Sequence, residues 1–170
     1  MLSRAEIARR IPHQGSMCLL QRVLRWDAVH IHCEADGHRA PDHPLRAFGR
    51  LGIACGIEYA AQAMAVHGAL IGAAAGAPDD VPRAGYLASV RRVLLHAVRL
   101  DDVAGDLGVH AERVLGEGNH IVYRFRIEGQ GRPLIEGQAT VVLDAALADA
   151  VLANRTLADG TPTWRLGAGA

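Results

Sequence analysis

Gly52-Ile53-Ala54-Cys55-Gly56-Ile57-Glu58-Tyr59-Ala60-Ala61-Gln62-Ala63-Met64-Ala65-Val66-His67-Gly68-Ala69-Leu70-Ile71-Gly72-Ala73-Ala74 is the stretch whose reading decides the fold. From Leu51 to Ala77 the chain carries one formal charge, Glu58. The run is long enough to suggest a membrane span. Its apolar content is mostly alanine, however, and a carboxylate near the centre of a spanning helix costs about 2.5–3.5 kcal/mol. Gln62, His67 and several glycines add to the mismatch. The run reads instead as a helix buried on nearly all sides within a soluble fold. Such a helix needs a sheet wrapped around it rather than lying on one side. The small residues Ala54, Gly56, Ala60, Ala61 and Ala63 would let strands approach closely.

The flanking sequence supplies that sheet. On the C-terminal side, His120 to Glu128 alternates strictly, with Ile121, Tyr123, Phe125 and Ile127 on one face and polar residues, with Val122, on the other. Gly129-Gln130-Gly131 then makes a hairpin turn into Leu134 to Leu143, with Ile135, Ala139, Val141 and Leu143 facing the core. Tyr86 to Arg99 reads as a long strand with a bulge near Arg91-Arg92, and Asp106 to Gly116 as another. On the N-terminal side, Leu19 to Trp26 and Val29 to Ala35 read as two strands about an Asp27-Ala28 turn. Asp36 to Arg50 reads as a loop. Ser3-x-x-Glu6 is a capping box for a first helix ending near Arg10, with Leu2 stapled on Ile7. The expected fold is α+β: a curved antiparallel sheet wrapped around one long central helix, the hot-dog architecture. Its domain would span residues 1–144. Gly76-Ala77-Pro78-Asp79-Asp80 would close the helix, and residues 145–170 would form an extension, a short helix over Ala145 to Ala153 and then a loose tail.

Composition narrows the function classes. The 170 residues carry 18 basic and 18 acidic side chains, a formal net charge of zero. That argues against a nucleic-acid or polybasic membrane binder. Every basic residue is arginine, so a lysine nucleophile or Schiff base is excluded. Cys18, Cys33 and Cys55 are odd in number and widely spaced, which argues against disulfides and a cysteine zinc site. The start of the chain lacks a signal-like apolar segment, and the expected compartment is the cytoplasm. Phosphate-loop, dinucleotide, serine-hydrolase and zinc-protease motifs are absent from the sequence.

Two side chains stand out as chemical candidates. Glu58 lies on the apolar helix, where burial would raise its pKa and make it a general acid. The alternative is an ordinary carboxylate on an exposed sliver or paired with an arginine. His13 lies in the stiff segment Ile11-Pro12-His13-Gln14-Gly15, where it can face a cleft or simply be a surface residue. His30, His32, His38 and His43 cluster in sequence, but no third ligand follows at a firm spacing, and a polar strand face accounts for them equally well. His67, His96, His110 and His120 read as core-edge or surface residues. Arginines on the strands read as a solvated face or a rim for an acidic partner.

Pro12-His13-Gln14-Gly15-Ser16-Met17-Cys18-Leu19-Leu20-Gln21-Arg22-Val23 resembles the opening motif of the 3-hydroxyacyl-acyl-carrier-protein dehydratases, P-H-x-x-P-[FM]-L-L-x-D-R-V. Gly56-Ile57-Glu58-Tyr59-Ala60-Ala61-Gln62-Ala63-Met64-Ala65 resembles their second motif, E-A-x-A-Q, at the start of the central helix. The two together look most like the ApeP-like branch, found with aryl polyene pigment biosynthesis, and the resemblance spans about Ile11 to Leu143. Gln21 stands where that family usually has Asp, Gly52-Ile53 where it has Pro-Gly, and Asp42-His43-Pro44-Leu45-Arg46 keeps only part of a G-H-F-P segment.

The resemblance implies an enzyme that dehydrates a (3R)-3-hydroxyacyl thioester to the trans-2-enoyl thioester on an acyl carrier protein. It implies His13 as base and Glu58 as acid, meeting from opposite subunits. Backbone N–H groups at Gly52, Ile53 and Ala54 would face the thioester oxygen, with Gln62 orienting the pair. Neither metal nor organic cofactor is implied. The implied partners are the acyl carrier protein with its phosphopantetheine thioester and a second hot-dog subunit, identical or homologous. A hot-dog thioesterase and a non-catalytic carrier-binding subunit are the competing readings.

Overall fold

The computed structural model describes residues 1–77, 85–117 and 119–143. Of the expected helix closure, Gly76 and Ala77 are described and follow the helix end at Ala74, Gly76 with φ +88°; Pro78-Asp79-Asp80 and the extension over residues 145–170 lie outside the described residues. Strands β1 (Leu2–Ser3), β2 (Arg22–Trp26), β3 (His30–Ala35), β4 (Gly85–Leu95), β5 (Leu107–Glu117), β6 (His120–Gly129) and β7 (Arg132–Leu143) form one antiparallel sheet in the order β1-β2-β3-β5-β6-β7-β4. Helix α1 spans Arg4–Arg10 and the central helix α2 spans Gly56–Ala74. A 3-10 turn over Ile53–Cys55 leads into α2.

The sheet curves around α2 because its strands carry irregularities where the register shifts: Val23/Arg25, Leu87/Ser89, Arg91/Leu94, Arg113/Leu115 and Ile127/Glu128. A bulge adds twist and bends its strand. Gly56 shows how closely sheet and helix approach. A Cβ there would lie 2.7 Å from Ile135 Cγ2, so only glycine allows the helix to start against β7. The inward faces of β3, β5, β6 and β7 bury Ile31, Val109, Tyr123, Phe125, Ile127 and Ile135 against α2.

The capping box at Ser3 and Glu6 forms, and Ile7 is fully buried. Three expectations shift. The second strand starts at Arg22 rather than Leu19, because the Leu19 N–H is taken by the Gln62 side chain instead of a strand ladder. The next begins at His30, because Asp27 Oδ1 accepts the N–H groups of both Val29 and His30 and holds the turn. β4 ends at Leu95: His96 N–H still donates to Leu134 O at 2.8 Å, but by Val98 the chain has crossed to the helix entry, where Val98 O accepts the Ile53 N–H at 3.0 Å. Helix α2 is also less enclosed than expected. Tyr59, Gln62, Ala63, Val66, His67 and Leu70 are buried, whereas Ala61, Ala65, Gly68 and Ala69 are half-exposed in the single chain.

The entry to α2 is clamped by a carboxylate. Asp101, whose side chain is 2% exposed, accepts from Arg46 Nη2 at 2.7 Å and from Arg99 Nη2 at 2.6 Å. The Arg99 hydrogen bond holds its carboxyl well below the usual range against the cost of burial, and the Leu51 N–H adds to it. The clamp joins the loop before α2 to the segment after β4. A depressed carboxylate stabilises above its unfolded pKa, near 4, and that stability is lost as pH falls through the lower folded value. Asp101→Asn is expected to cost about 3 kcal/mol at pH 7. Urea unfolding followed from pH 7 into the acid range should show the gap between variant and parent narrowing below about pH 4.

Candidate active site

His13 follows α1 on a segment held from both sides. Gln14 Nε2 donates to Ala8 O and Ile11 O, at 2.6 and 3.1 Å, which closes the C-terminus of α1. Arg4 Nη2 donates to Gly15 O at 2.9 Å. Gly15 has φ +56°, a left-handed conformation that glycine adopts without steric cost, and it starts the 3-10 turn Gly15–Met17. With the chain turned there, His13 Nε2 lies 3.1 Å from Glu58 Oε1.

Glu58 comes from the first turn of α2, and Gln62 stands one turn further on. Gln62 is fully buried and its amide is engaged three times. Its Nε2 donates to Met17 O at 2.8 Å and to Glu58 Oε1 at 2.9 Å, and its Oε1 accepts from Leu19 N at 2.9 Å. The structure thus brings His13, Glu58 and Gln62 together as one array. It corrects the resemblance on one point: imidazole and carboxylate meet within a single chain rather than across subunits.

The expected raised pKa of Glu58 is also corrected. Burial pushes its carboxyl upward, but hydrogen bonds from His13 and Gln62, with the His13 charge, outweigh it and the net displacement is downward. The pair is partly enclosed, its side chains 29% and 31% exposed. His13 Nδ1 is buried without a hydrogen-bond partner among the described residues.

Of the backbone donors expected to face a thioester oxygen, Ile53 is corrected: its N–H is committed to Val98 O. Gly52 is half-buried, and Ala54 is exposed four residues ahead of Glu58. His38, His43 and His67 prove to be buried. His43 Nδ1 accepts from Leu45 N, so its Nε2 donates to Tyr59 Oη at 2.8 Å. His67 Nε2 donates to Asp27 O at 2.8 Å, and Tyr123 Oη lies 3.1 Å from its Nδ1. Burial pushes His43 and His67 down, keeping both neutral, and pushes Tyr59 and Tyr123 up. These pairs pin the loop 36–50 and β6 to α2. No sequence signal marked them, because a histidine in a loop and one on a helix look alike until their neighbours are known. Arg124 and Arg126 pair with Glu112 and Glu128 on the outer sheet face, at 2.9 and 3.1 Å. No cluster among the described residues has a metal-binding arrangement, and no described helix is long and apolar enough to cross a membrane.

A cavity of about 60 Å³ lies beside α2, bounded by Ala61, Met64, Ala65, Gly68 and Ala69 of the helix, by Gly85 and Leu87 of β4, and by Ile121, Tyr123, Val141 and Leu143 of β6 and β7. Ala61 and Ala65 stand one and two turns beyond Glu58 on its own side of the helix.

Comparison with known proteins gives a family. The model of the ApeP-like family, described as ApeP dehydratase, matches residues 5–152. No curated protein matches significantly. Among solved structures, the dehydratase heterocomplex ApeI:P from Xenorhabdus doucetiae superposes with a TM-score of 0.74 at 20% identity, covering 91% of this chain and 99% of that one. A mutant thioesterase from Pseudomonas aeruginosa gives 0.51 at 15% identity, covering 72% and 79%. A hypothetical thioesterase from Streptococcus pneumoniae, solved with coenzyme A, gives 0.51 at 14%, covering 72% and 84%. At these identities the superpositions establish a shared hot-dog fold.

Gln62→Leu should remove the partners of a buried N–H and C=O and of Glu58 together. The expected loss is about 2–3 kcal/mol in urea unfolding. A loss below about 0.5 kcal/mol would mean that the bridge is not structural.

Proposed function

The chain belongs to the ApeP-like dehydratase family, and on that premise we propose that it dehydrates a (3R)-3-hydroxyacyl thioester held on an acyl carrier protein. The product is the trans-2-enoyl thioester. The observation that carries the proposal is the 3.1 Å contact between His13 Nε2 and Glu58 Oε1, both side chains partly exposed.

Elimination requires a base at C2 and an acid at the C3 hydroxyl. The pair shares one proton between them and so supplies both. Dehydration requires that proton on Glu58 and a neutral His13 Nε2. Substrate seated on His13 Nε2 takes one of the two donors that hold the Glu58 carboxyl down, and burial, which pushes it up, then weighs against Gln62 alone. His13 Nε2 takes the C2 proton, the C2–H electrons form the double bond, and the C3–O bond breaks as Glu58 protonates the departing hydroxyl to water. The proton gained by His13 returns the pair to its starting charge. Gln62 holds the carboxylate at the correct height on α2. Negative charge on the thioester oxygen would fall to backbone N–H groups ahead of the helix, with Ala54 the exposed member of the expected trio. The cavity beyond Ala61 is apolar and suits the hydrocarbon tail.

The partner reading rests on β4. It is an edge strand that exposes Tyr86, Leu87, Leu94 and Leu95. A long apolar edge is a template for strand pairing. A second hot-dog subunit, identical or homologous, would continue the sheet there; the similar Xenorhabdus doucetiae structure is itself a dehydratase heterocomplex. The aryl polyene pathway and a cytoplasmic site of action belong to the same proposal.

His13→Ala and Glu58→Gln are each expected to lower dehydration of carrier-bound 3-hydroxyacyl thioesters by about 10²–10⁴-fold, read as enoyl product by mass spectrometry. Full activity in either variant would refute the pair. Release of free carrier thiol in place of enoyl product would mark a thioesterase. Carrier binding without turnover, alone and with a homologous subunit, would mark a non-catalytic subunit.

A further inference from the structure

Two glycines of α2 are glycine for different reasons. Gly56 is forced by its contact with Ile135. Gly68 is not: a Cβ built there meets nothing within 4 Å, and its φ lies outside the left-handed region. Glycine inside a helix costs about 1 kcal/mol relative to alanine, so the position carries a local penalty that neither packing nor backbone conformation demands. What Gly68 does face is the cavity between α2 and strands β4, β6 and β7.

That cavity is suited to one kind of occupant. Its lining side chains are apolar, apart from the Tyr123 hydroxyl, which is already engaged with His67 Nδ1. It starts at Ala61, next to the Glu58 turn, and Gly68 lies about 15 Å along the helix axis from Glu58. A straight hydrocarbon tail leaving a thioester at the His13–Glu58 edge would cross Ala61 and Ala65 first and then reach Gly68.

We propose that Gly68 is a specificity-determining residue: its missing side chain leaves the space into which the end of a longer unbranched acyl chain extends. The inference rests on the acyl-thioester reading of the His13–Glu58 site. The cavity closed around Gly68 would still accept short chains, because Ala61 and Ala65 lie nearer the chemistry.

The test compares the parent with Gly68→Leu, which fills the space, and Gly68→Ala, which adds one methyl and restores helix propensity. Gly68→Ala should raise the thermal midpoint, showing that the position bears no packing role. Carrier-bound 3-hydroxyacyl thioesters of four, eight and twelve carbons are then assayed for enoyl product. Gly68→Leu is expected to leave the four-carbon substrate little changed and to lower kcat/KM for the longer two by at least about tenfold, as expected when methylenes lose their pocket. Calorimetric binding of saturated acyl-pantetheine thioesters of the same lengths reads the cavity without turnover, and affinity for the longer chains should fall in parallel. Length profiles that coincide for parent and Gly68→Leu in both measurements would overturn the assignment. Length-dependent binding that Gly68→Leu abolishes, with no enoyl formed by the parent, would sustain Gly68 and overturn the dehydratase reading.

Discussion

The Gln62 amide is the constraint on which the site depends. Helix α2 is almost entirely apolar, and a polar side chain in its interior is tolerable only if its hydrogen-bonding groups are matched. Gln62 meets that condition by holding Met17 O, Leu19 N and Glu58 at once. The Met17 and Leu19 bonds fix the segment that follows His13 onto the helix. The Glu58 bond sets the height of the carboxylate. Remove the amide and His13 and Glu58 belong to two elements with no common support. The 3.1 Å separation between them follows from that cross-brace.

The Glu58 carboxyl is better described by competition than by burial. Burial alone would have made Glu58 a standing acid, and burial is the largest single influence on it. Two donors reverse the outcome. The consequence is a carboxyl whose charge depends on both donors staying in place, so that a change at either one alters the balance. Within a coupled pair the proton belongs to the pair, and its location responds to whatever occupies the shared edge.

Much of this was legible in the chain, for identifiable reasons. Alternation in His120 to Glu128 was readable because one face of the strand is buried and the other is wet, and a period of two is the mark of a strand with unlike faces. The lone carboxylate on α2 was readable because nothing around it in sequence is charged. Less accessible were strand starts such as Arg22, which depend on where one N–H goes, and the charge state of Glu58, which depends on His13 and Gln62 arriving from opposite directions. The buried histidines were opaque for the same reason: His43 and His67 are polar residues whose partners, Tyr59 and Tyr123 among them, are brought up by the fold.

The helix entry carries a further consequence. The Ile53 N–H, which stood among the donors expected for a thioester oxygen, binds Val98 O, and Leu100 N binds Leu51 O at 2.9 Å. Asp101 locks the same crossing with two arginines. The first turn before α2 is therefore used to attach the segment after β4, the strand whose edge is open to a partner. Partner pairing along β4 and the placement of Ala54 and Glu58 are then not independent. A shift of β4 on pairing would be transmitted through Val98 and Ile53 to the start of α2, one turn from the carboxylate. In this chain the exposed edge of β4 and the start of the helix that carries Glu58 share a backbone crossing, so a shift at one would reach the other.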